Sequence, residues 1–313
     1  MTTSDAAADR DATPRKAAPG PARPLRHTTA DGITLRGTVR GQGAPAILFG
    51  PGAGLPVQVY AHTLAPLAAT HTVLALNPRG HGDSDGGSAG DGWAPCLADW
   101  RDFVAAQPAP LILAGHSFGA MLALATAAAV PDKVTGLLLL DPLARGTREQ
   151  PWPAASQAAA IRLAEATSLR TAHWATREAA AAWLRETSPY RHWAPAAREA
   201  FLEAGLVSAH QGGLRPACDP AFERSLYEGR RAQDIFAWAD AVRAPTVILR
   251  GKDSPVASDE GCASLAERLP IATVLTVGGG HMFPLDAPPA CAGALMQAVS
   301  MLARTRDGVA AGL

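Results

Sequence analysis

The sequence carries no surplus of charge of either sign. Its 28 Lys and Arg residues are balanced by 28 Asp and Glu residues, so bulk electrostatics draws it neither to nucleic acid nor to an anionic lipid surface. It also lacks an apolar run of the roughly 18–20 residues needed to cross a bilayer. Its opening stretch, MTTSDAAADRDATPRKAAPGPARPLRH, has charges, prolines and alanines but no apolar h-region, and does not read as a secretory signal. Cysteine is scarce: Cys96, Cys218, Cys262 and Cys291 lie far apart and form no C-x-x-C pair, which argues against a zinc site or a dithiol motif. Free thiols in a reducing cytoplasm are the expectation. No internal repeat is visible.

What is present is a globular chain of 313 residues, 48% hydrophobic and 18% charged, with a mean hydropathy of +0.03. That length suits one core with an inserted subdomain. Residues 1–26, rich in Ala, Pro, Arg and Asp and without periodicity, predict a disordered tail. From His27 the pattern changes. Ile33–Arg40 alternates like a strand, and short apolar runs follow at Ala46–Gly50, Thr72–Leu76, Leu111–Gly115 and Leu137–Leu140. Helix-length segments such as Gln58–Ala69 and Ala120–Val130 lie between them. Strands alternating with helices predict a mostly parallel α/β sheet with helices on both faces, and wholly apolar strands fit burial on both sides.

After Asp141 this rhythm stops. Residues 143–236 show no clear strand, only Ala- and Arg-rich helical pieces broken by prolines, with tryptophans at 152, 174, 183, 193 and 238 in or beside them. The strand rhythm returns at Thr246–Arg250 and Ala272–Val277. The expected organisation is therefore a core of 27–142 and 237–313, interrupted by a helical cap at 143–236.

At the seam between a strand and a helix stands Gly115-His116-Ser117-Phe118-Gly119. A strand turning straight into a helix through G-x-S-x-G is a nucleophile elbow: the turn strains the serine backbone, and the flanking glycines avoid Cβ clashes. The helix that follows aims its free N–H groups at the reacting centre. Serine is a weak nucleophile and needs a base, which in turn needs an orienting acid. In chain order Ser, acid, His, the partners fall at Asp253, after Thr246–Arg250, and His281, after Ala272–Val277. Both lie just beyond strand C-termini, where α/β sheets bind ligands.

Four segments, FGPGAGLP (49–56), NPRGHGDSDG (77–86), AGHSFGA (114–120) and GGGHMFPLDAP (278–288), make the chain resemble the α/β-hydrolase fold superfamily. The likeness covers about residues 27–313, is weakest in the insertion, and leans toward little-characterised, esterase-like bacterial hydrolases with a small helical cap. It implies Ser117 as nucleophile, His281 as base and Asp253 as acid, with Asp141 of LLLLDP as the alternative acid. It also implies an oxyanion hole made by the backbone N–H groups of Phe118 and of a loop residue after Ala46–Gly50. Pro51 has no N–H, so Ala53 is the expected donor and Gly54 the alternative. Asn77 stands where the family often has Asp, a structural position.

Other polar residues have plainer readings. His81 is expected to pack a loop. His116 is expected to line the pocket or support it. His173, His192 and His210 lack carboxylates at ligand spacing, so no metal is expected. The tryptophans are expected to anchor small helices, and Arg185 and Arg191 to form a solvated face. The expected function is hydrolysis of an ester or related acyl bond in a small molecule, with no metal or organic cofactor, no nucleic-acid partner and no membrane span, in the cytoplasm. Thioesterase, lactonase and C–C hydrolase chemistry use the same triad, and a ligand sensor with slow turnover is the alternative of a different class.

Overall fold

A computed structural model describes residues 20–311 apart from residue 89, with side chains up to residue 305. Most of the stretch expected to be a disordered tail, residues 1–19, lies outside the described residues. Its end does not behave as a tail: Arg23–Thr28 forms β1, the edge strand of the sheet, pairing antiparallel with β2 (Thr34–Arg40) from Arg23↔Val39 to Thr28↔Thr34. The polar character of RPLRHT belongs to an edge strand with one wet side.

The remaining core strands are β3 (Ile47–Gly50), β4 (Val73–Leu76), β5 (Leu111–His116) and β6 (Val134–Leu140). The eight-stranded sheet has the order β1-β2-β4-β3-β5-β6-β9-β10, where β9 is Thr246–Gly251 and β10 is Ala272–Val277. Only the β1–β2 and β2–β4 pairings are antiparallel. The rest run parallel, so the C-terminal ends of β3, β5, β6, β9 and β10 open on one edge.

Strand periodicity divides the core into two layers. Leu48, Leu74, Leu113, Leu137, Leu139 and Ile248 point to one face, and Ile47, Phe49, Val73, Ala75, Ile112, Leu138, Leu140 and Leu249 to the other. The first face is covered by α2 (Trp93–Ala105) and α3 (Phe118–Ala129), among others. α3 is almost wholly buried, as its run of Ala, Met and Leu demands. The segment expected as one helix over Gln58–Ala69 is instead a chain of short turns with α1 (Ala61–Leu64) at its middle, and Pro66 interrupts it.

Between β6 and β9 the chain leaves the sheet. It forms α4 (Ala154–Leu169), α5 (Arg177–Glu186), α6 (Pro195–Ala204), α7 (Pro220–Gly229) and α8 (Ile235–Ala241). α4 packs against α7, and α8 returns to pack on α3. Contrary to the strandless reading of this stretch, β7 (Leu206–Ser208) and β8 (Leu214–Pro216) form a small antiparallel hairpin. Three-residue strands joined through Gly212 and Gly213 are too short to leave a visible alternation. Trp174, Trp183, Tyr190, Trp193 and Phe201 make a continuous aromatic cluster with ring centroids 4.9–5.9 Å apart. The chain ends with α9 (Asp259–Ala266), α10 (Phe283–Asp286) and α11 (Pro288–Ala311). Among the described residues no helix is long and apolar enough to cross a membrane.

Candidate active site

The elbow is sterically closed. Ser117 sits between β5 and α3 with φ 53° and ψ −113°, a conformation that costs a non-glycine residue on the order of 1–3 kcal/mol. A Cβ on Gly115 would lie 2.2 Å from the Gly119 carbonyl carbon, and one on Gly119 would lie 2.2 Å from the Gly50 carbonyl oxygen. Both glycines are therefore obligatory for this turn. The Ser117 amide donates to the Leu140 carbonyl at 2.9 Å and the Gly119 amide to Pro51 at 2.9 Å, tying the turn to β6 and to the loop after β3.

His281, just beyond β10, places Nε2 3.1 Å from Ser117 Oγ. Its Nδ1 lies 2.6 Å from Oδ2 of Asp141. A carboxylate only accepts, so Nδ1 carries the proton and Nε2 presents its lone pair to the serine hydroxyl. The acid beside the histidine is thus Asp141, and not Asp253 as the sequence reading preferred. Asp141 closes β6, the strand between β5 and β9, and its side chain is fully buried. Asp253 is exposed on the loop after β9, joined to the β10 end only through its amide, which donates to the Gly279 carbonyl at 3.0 Å. The residue following it, Ser254, is the one that turns inward. Its hydroxyl donates to Asp141 Oδ2 and accepts from the amides of Val256 and Ala257 at 3.0 and 3.2 Å. The Gly251 amide donates to Asp141 Oδ1 at 2.7 Å. The carboxylate is held on both oxygens before the histidine meets it.

His116, fully buried beneath the site, forms a second line of support. Its Nε2 lies 2.8 Å from the His281 carbonyl, which can only accept, so Nε2 carries the proton. Nδ1 then accepts from the Tyr60 hydroxyl at 2.7 Å, and the Tyr60 oxygen accepts from the Gly52 amide at 3.1 Å. Burial, with the nearby His281 adding to it, lowers the His116 pKa to about 3 and keeps the ring neutral. This chain of bonds joins the loop after β3 to the backbone of His281.

The same loop has two of its amides occupied. The Gly52 amide is taken by Tyr60 and the Gly54 amide by His81 Nε2 at 3.1 Å. His81 donates from Nδ1 to the Arg79 carbonyl at 3.0 Å and stacks on Phe118. Burial lowers its pKa, so it too stays neutral. Among the described residues the amides of Ala53 and Phe118 have no acceptor, and both residues line the cavity above Ser117. Asn77 has a structural place, accepting from the Val57 amide at 2.6 Å and donating to Asp83 at 3.0 Å.

The cavity has a volume of about 520 Å³ and lies between the strand ends and the inserted helices. Ser117, Phe118, Ala53 and His281 form its floor, while Leu163, Trp183, Tyr190 and Trp193 form part of its roof. Residues invisible to sequence reasoning supply the roof's charges. Arg170 donates to Glu223 at 2.6 Å and to the Tyr190 hydroxyl at 3.2 Å, and the Tyr227 hydroxyl donates to Glu223 at 2.9 Å. Arg230, directly after α7, also lines the cavity. No motif marks Arg170, Tyr227 or Arg230, because tertiary packing decides which residues of the insertion face the cavity; Tyr190 and Glu223 lie in segments, 189–193 and 212–223, that resemble the cap of related hydrolases without a role being legible for either. Among the described residues no three His, Cys, Asp or Glu side chains gather to hold a metal.

Comparison with known proteins agrees with this architecture. The chain is 31% identical over 237 residues to a pimeloyl-[acyl-carrier protein] methyl ester esterase of Chromobacterium violaceum, covering 75% of this chain and 85% of that one. Its likeness to the dihydrolipoyllysine-residue acetyltransferase component of the acetoin cleaving system of Cupriavidus necator is partial: 34% identity over 119 residues, 37% of this chain and 31% of that one. Among solved structures, E-2-(acetamidomethylene)succinate hydrolase superposes with a TM-score of 0.73 at 26% identity, covering 89% of this chain and 99% of the other. The family model described as alpha/beta hydrolase family matches residues 47–294, and with the elbow, the sheet order and the site all in place, the chain belongs to that family.

Proposed function

We propose that this protein is a serine hydrolase that cleaves a carboxylic ester or closely related acyl bond through an acyl-enzyme. The observation that carries the reading is the line Asp141–His281–Ser117, with separations of 2.6 and 3.1 Å. His281 takes the proton of Ser117 as its oxygen attacks the acyl carbonyl, and Asp141 fixes the imidazole tautomer and stabilises its cationic form. The Ala53 and Phe118 amides, free of other acceptors, receive the oxyanion, where a single donor is worth about 10²–10³ in rate. His281 then protonates the leaving group, and water repeats the sequence on the acyl-enzyme. Residues 143–236 act as a cap, closing a cavity large enough for a small-molecule acyl substrate. The methyl ester esterase among the relatives supports ester chemistry, and the succinate-derivative hydrolase among the solved structures supports hydrolysis more broadly.

The test is burst and steady-state kinetics on a chain-length series of p-nitrophenyl esters, with Ser117→Ala as control. Turnover that vanishes in the variant is expected, by several orders of magnitude. Equal turnover in both proteins overturns the assignment of the nucleophile.

A further inference from the structure

The two arginines of the cavity roof differ in one respect. The charge of Arg170 is answered by Glu223, with Tyr190 and Tyr227 completing the set. The charge of Arg230 is answered by nothing among the described residues. Arg230 is 8% exposed, its Nη2 donates to the Ser156 carbonyl, and its Nε is buried without a partner. The guanidinium lies 5.8 Å over the Trp152 ring, which orients the planar group but does not neutralise it. A guanidinium has five N–H donors, and one hydrogen bond to a backbone carbonyl leaves most of them unmatched. Burial penalises the charge and lowers the pKa of this side chain. An unpaired buried cation is costly, and this one forms part of the wall that also contains Ser117 and His281.

We propose that Arg230 is the anchor for a carboxylate on the substrate, so that the enzyme's preferred acyl compounds are half-esters or comparable monoacyl derivatives that carry one free carboxylate away from the scissile bond. This rests on the hydrolase reading above and narrows it to a substrate class. The guanidinium fork matches a carboxylate with two parallel hydrogen bonds. A single negative charge also fits the local balance, since Arg230 is the one arginine lining the cavity that has no carboxylate partner among the described residues. The matched Arg170–Glu223 pair sets the remaining wall polar but neutral, leaving one place for the carboxylate.

The experiment compares mono-p-nitrophenyl esters of C5 to C8 straight-chain diacids with p-nitrophenyl esters of monoacids of the same carbon number. In the wild type, kcat/KM for the best half-ester is expected to exceed that of its monoacid match by about 10-fold or more. Arg230→Met brings that ratio to one or below, and Arg230→Lys retains part of it. A ratio near one at every length in the wild type, or a ratio that survives Arg230→Met, overturns the proposal. Calorimetric binding of adipate against its neutral diamide, measured on the wild type and on Ser117→Ala, is independent of turnover and of the folding of any Arg230 variant. Adipate is expected to bind and adipamide to bind at least about 10-fold more weakly; equal binding overturns the anchor. If adipate binds selectively while no ester is turned over, the anchor stands and the ester-hydrolase reading falls. If esters are cleaved without preference and adipate fails to bind, the reverse holds.

Discussion

The floor and roof of the cavity are built on different rules. On the floor, each polar group of the triad has a fixed neighbour: Asp141 is held by Gly251 and Ser254, His281 by Asp141 and, through its carbonyl, by His116, and His116 by Tyr60. The open donors there, among the described residues, are the amides of Ala53 and Phe118, which line the cavity with Ser117. The roof is rich in aromatic side chains carried by the inserted helices and turns, and tolerates at Arg230 a charge with no carboxylate partner among the described residues and a buried Nε without an acceptor. A satisfied network is rigid and holds a reaction geometry. A partly satisfied wall is available to a ligand. On the proposed reading, the difference teaches that chemistry is located in the part of the molecule fixed by the sheet, and selection in the part carried by the insertion.

The largest expected effect separates the two acids. Asp141→Asn should lower kcat/KM on an activated ester by roughly 10⁴-fold, because the amide cannot hold the proton-bearing Nδ1 in its tautomer. Asp253→Asn should change it less than about 2-fold, as expected of a surface side chain. If the two effects were exchanged, the buried network would be structural and the floor would lose its distinction from the roof. Next comes Ser254→Ala, which removes one of the bonds to Asp141 and is expected to lower kcat by about 10-fold, with KM little changed. A change confined to KM would instead place Ser254 in substrate binding.

Stability against pH probes the same floor without substrate. An unfolded histidine takes its proton near pH 6.5, whereas folded His116 resists until about 3. The folded pKa is depressed, so the contribution of the neutral ring is present above pH 6.5 and is lost as pH falls toward about 3. At pH 5 the loss is about 2 kcal/mol. Thermal melts between pH 7 and 5 should therefore slope less steeply in His116→Gln than in the wild type; parallel slopes would mean that His116 is protonated in the fold. The smallest effect concerns the point where floor meets roof. Gly54 has φ +76°, and a Cβ there would lie 2.4 Å from the Glu223 carboxyl carbon. Gly54→Ala is expected to cost about 1–2 kcal/mol and to lower Tm by a few degrees, and an unchanged Tm would show that Glu223 and the roof around it are free to move.

Much of the floor was legible in the sequence because it depends on local grammar. Apolar runs ending in Gly, Asp or His marked β3, β5, β6, β9 and β10, and the elbow marked Ser117. What grammar does not encode is the order of strands in space. Asp141 and Asp253 both follow apolar strands, and the choice between them depends on β6 lying between β5 and β9 and on which residue of the loop after β9 turns inward. Ser254 turns inward and Asp253 outward, a one-residue phase that no composition reveals. In the loop after β3, Pro51 excludes itself as a donor from sequence alone, but that the Gly54 amide is already occupied by His81 while the Ala53 amide is not had to be seen in the structure. The roof was not legible in detail. Arg170, Glu223 and Arg230 come together only because α4 packs on α7, and β1 was hidden by the polar side chains of an edge strand.

Among the described residues only two non-glycine residues have positive φ: Ser117 at 53° and Asp141 at 45°. They are the two ends of the hydrogen-bonded line Asp141–His281–Ser117, and each sits in a backbone conformation that glycine adopts more readily. At Ser117 the strain is offset by little else in the fold, whereas at Asp141 it is offset by the buried bonds that Gly251, Ser254 and His281 make to the carboxylate. Descendants that lose the activity have a route to a sturdier protein through Ser117→Gly, whereas Asp141→Gly would leave the Gly251 amide and the Ser254 hydroxyl without their acceptor. Persistence of the Ser117 side chain in a living lineage is then itself a sign that the proposed reaction is in use, because folding alone selects against it.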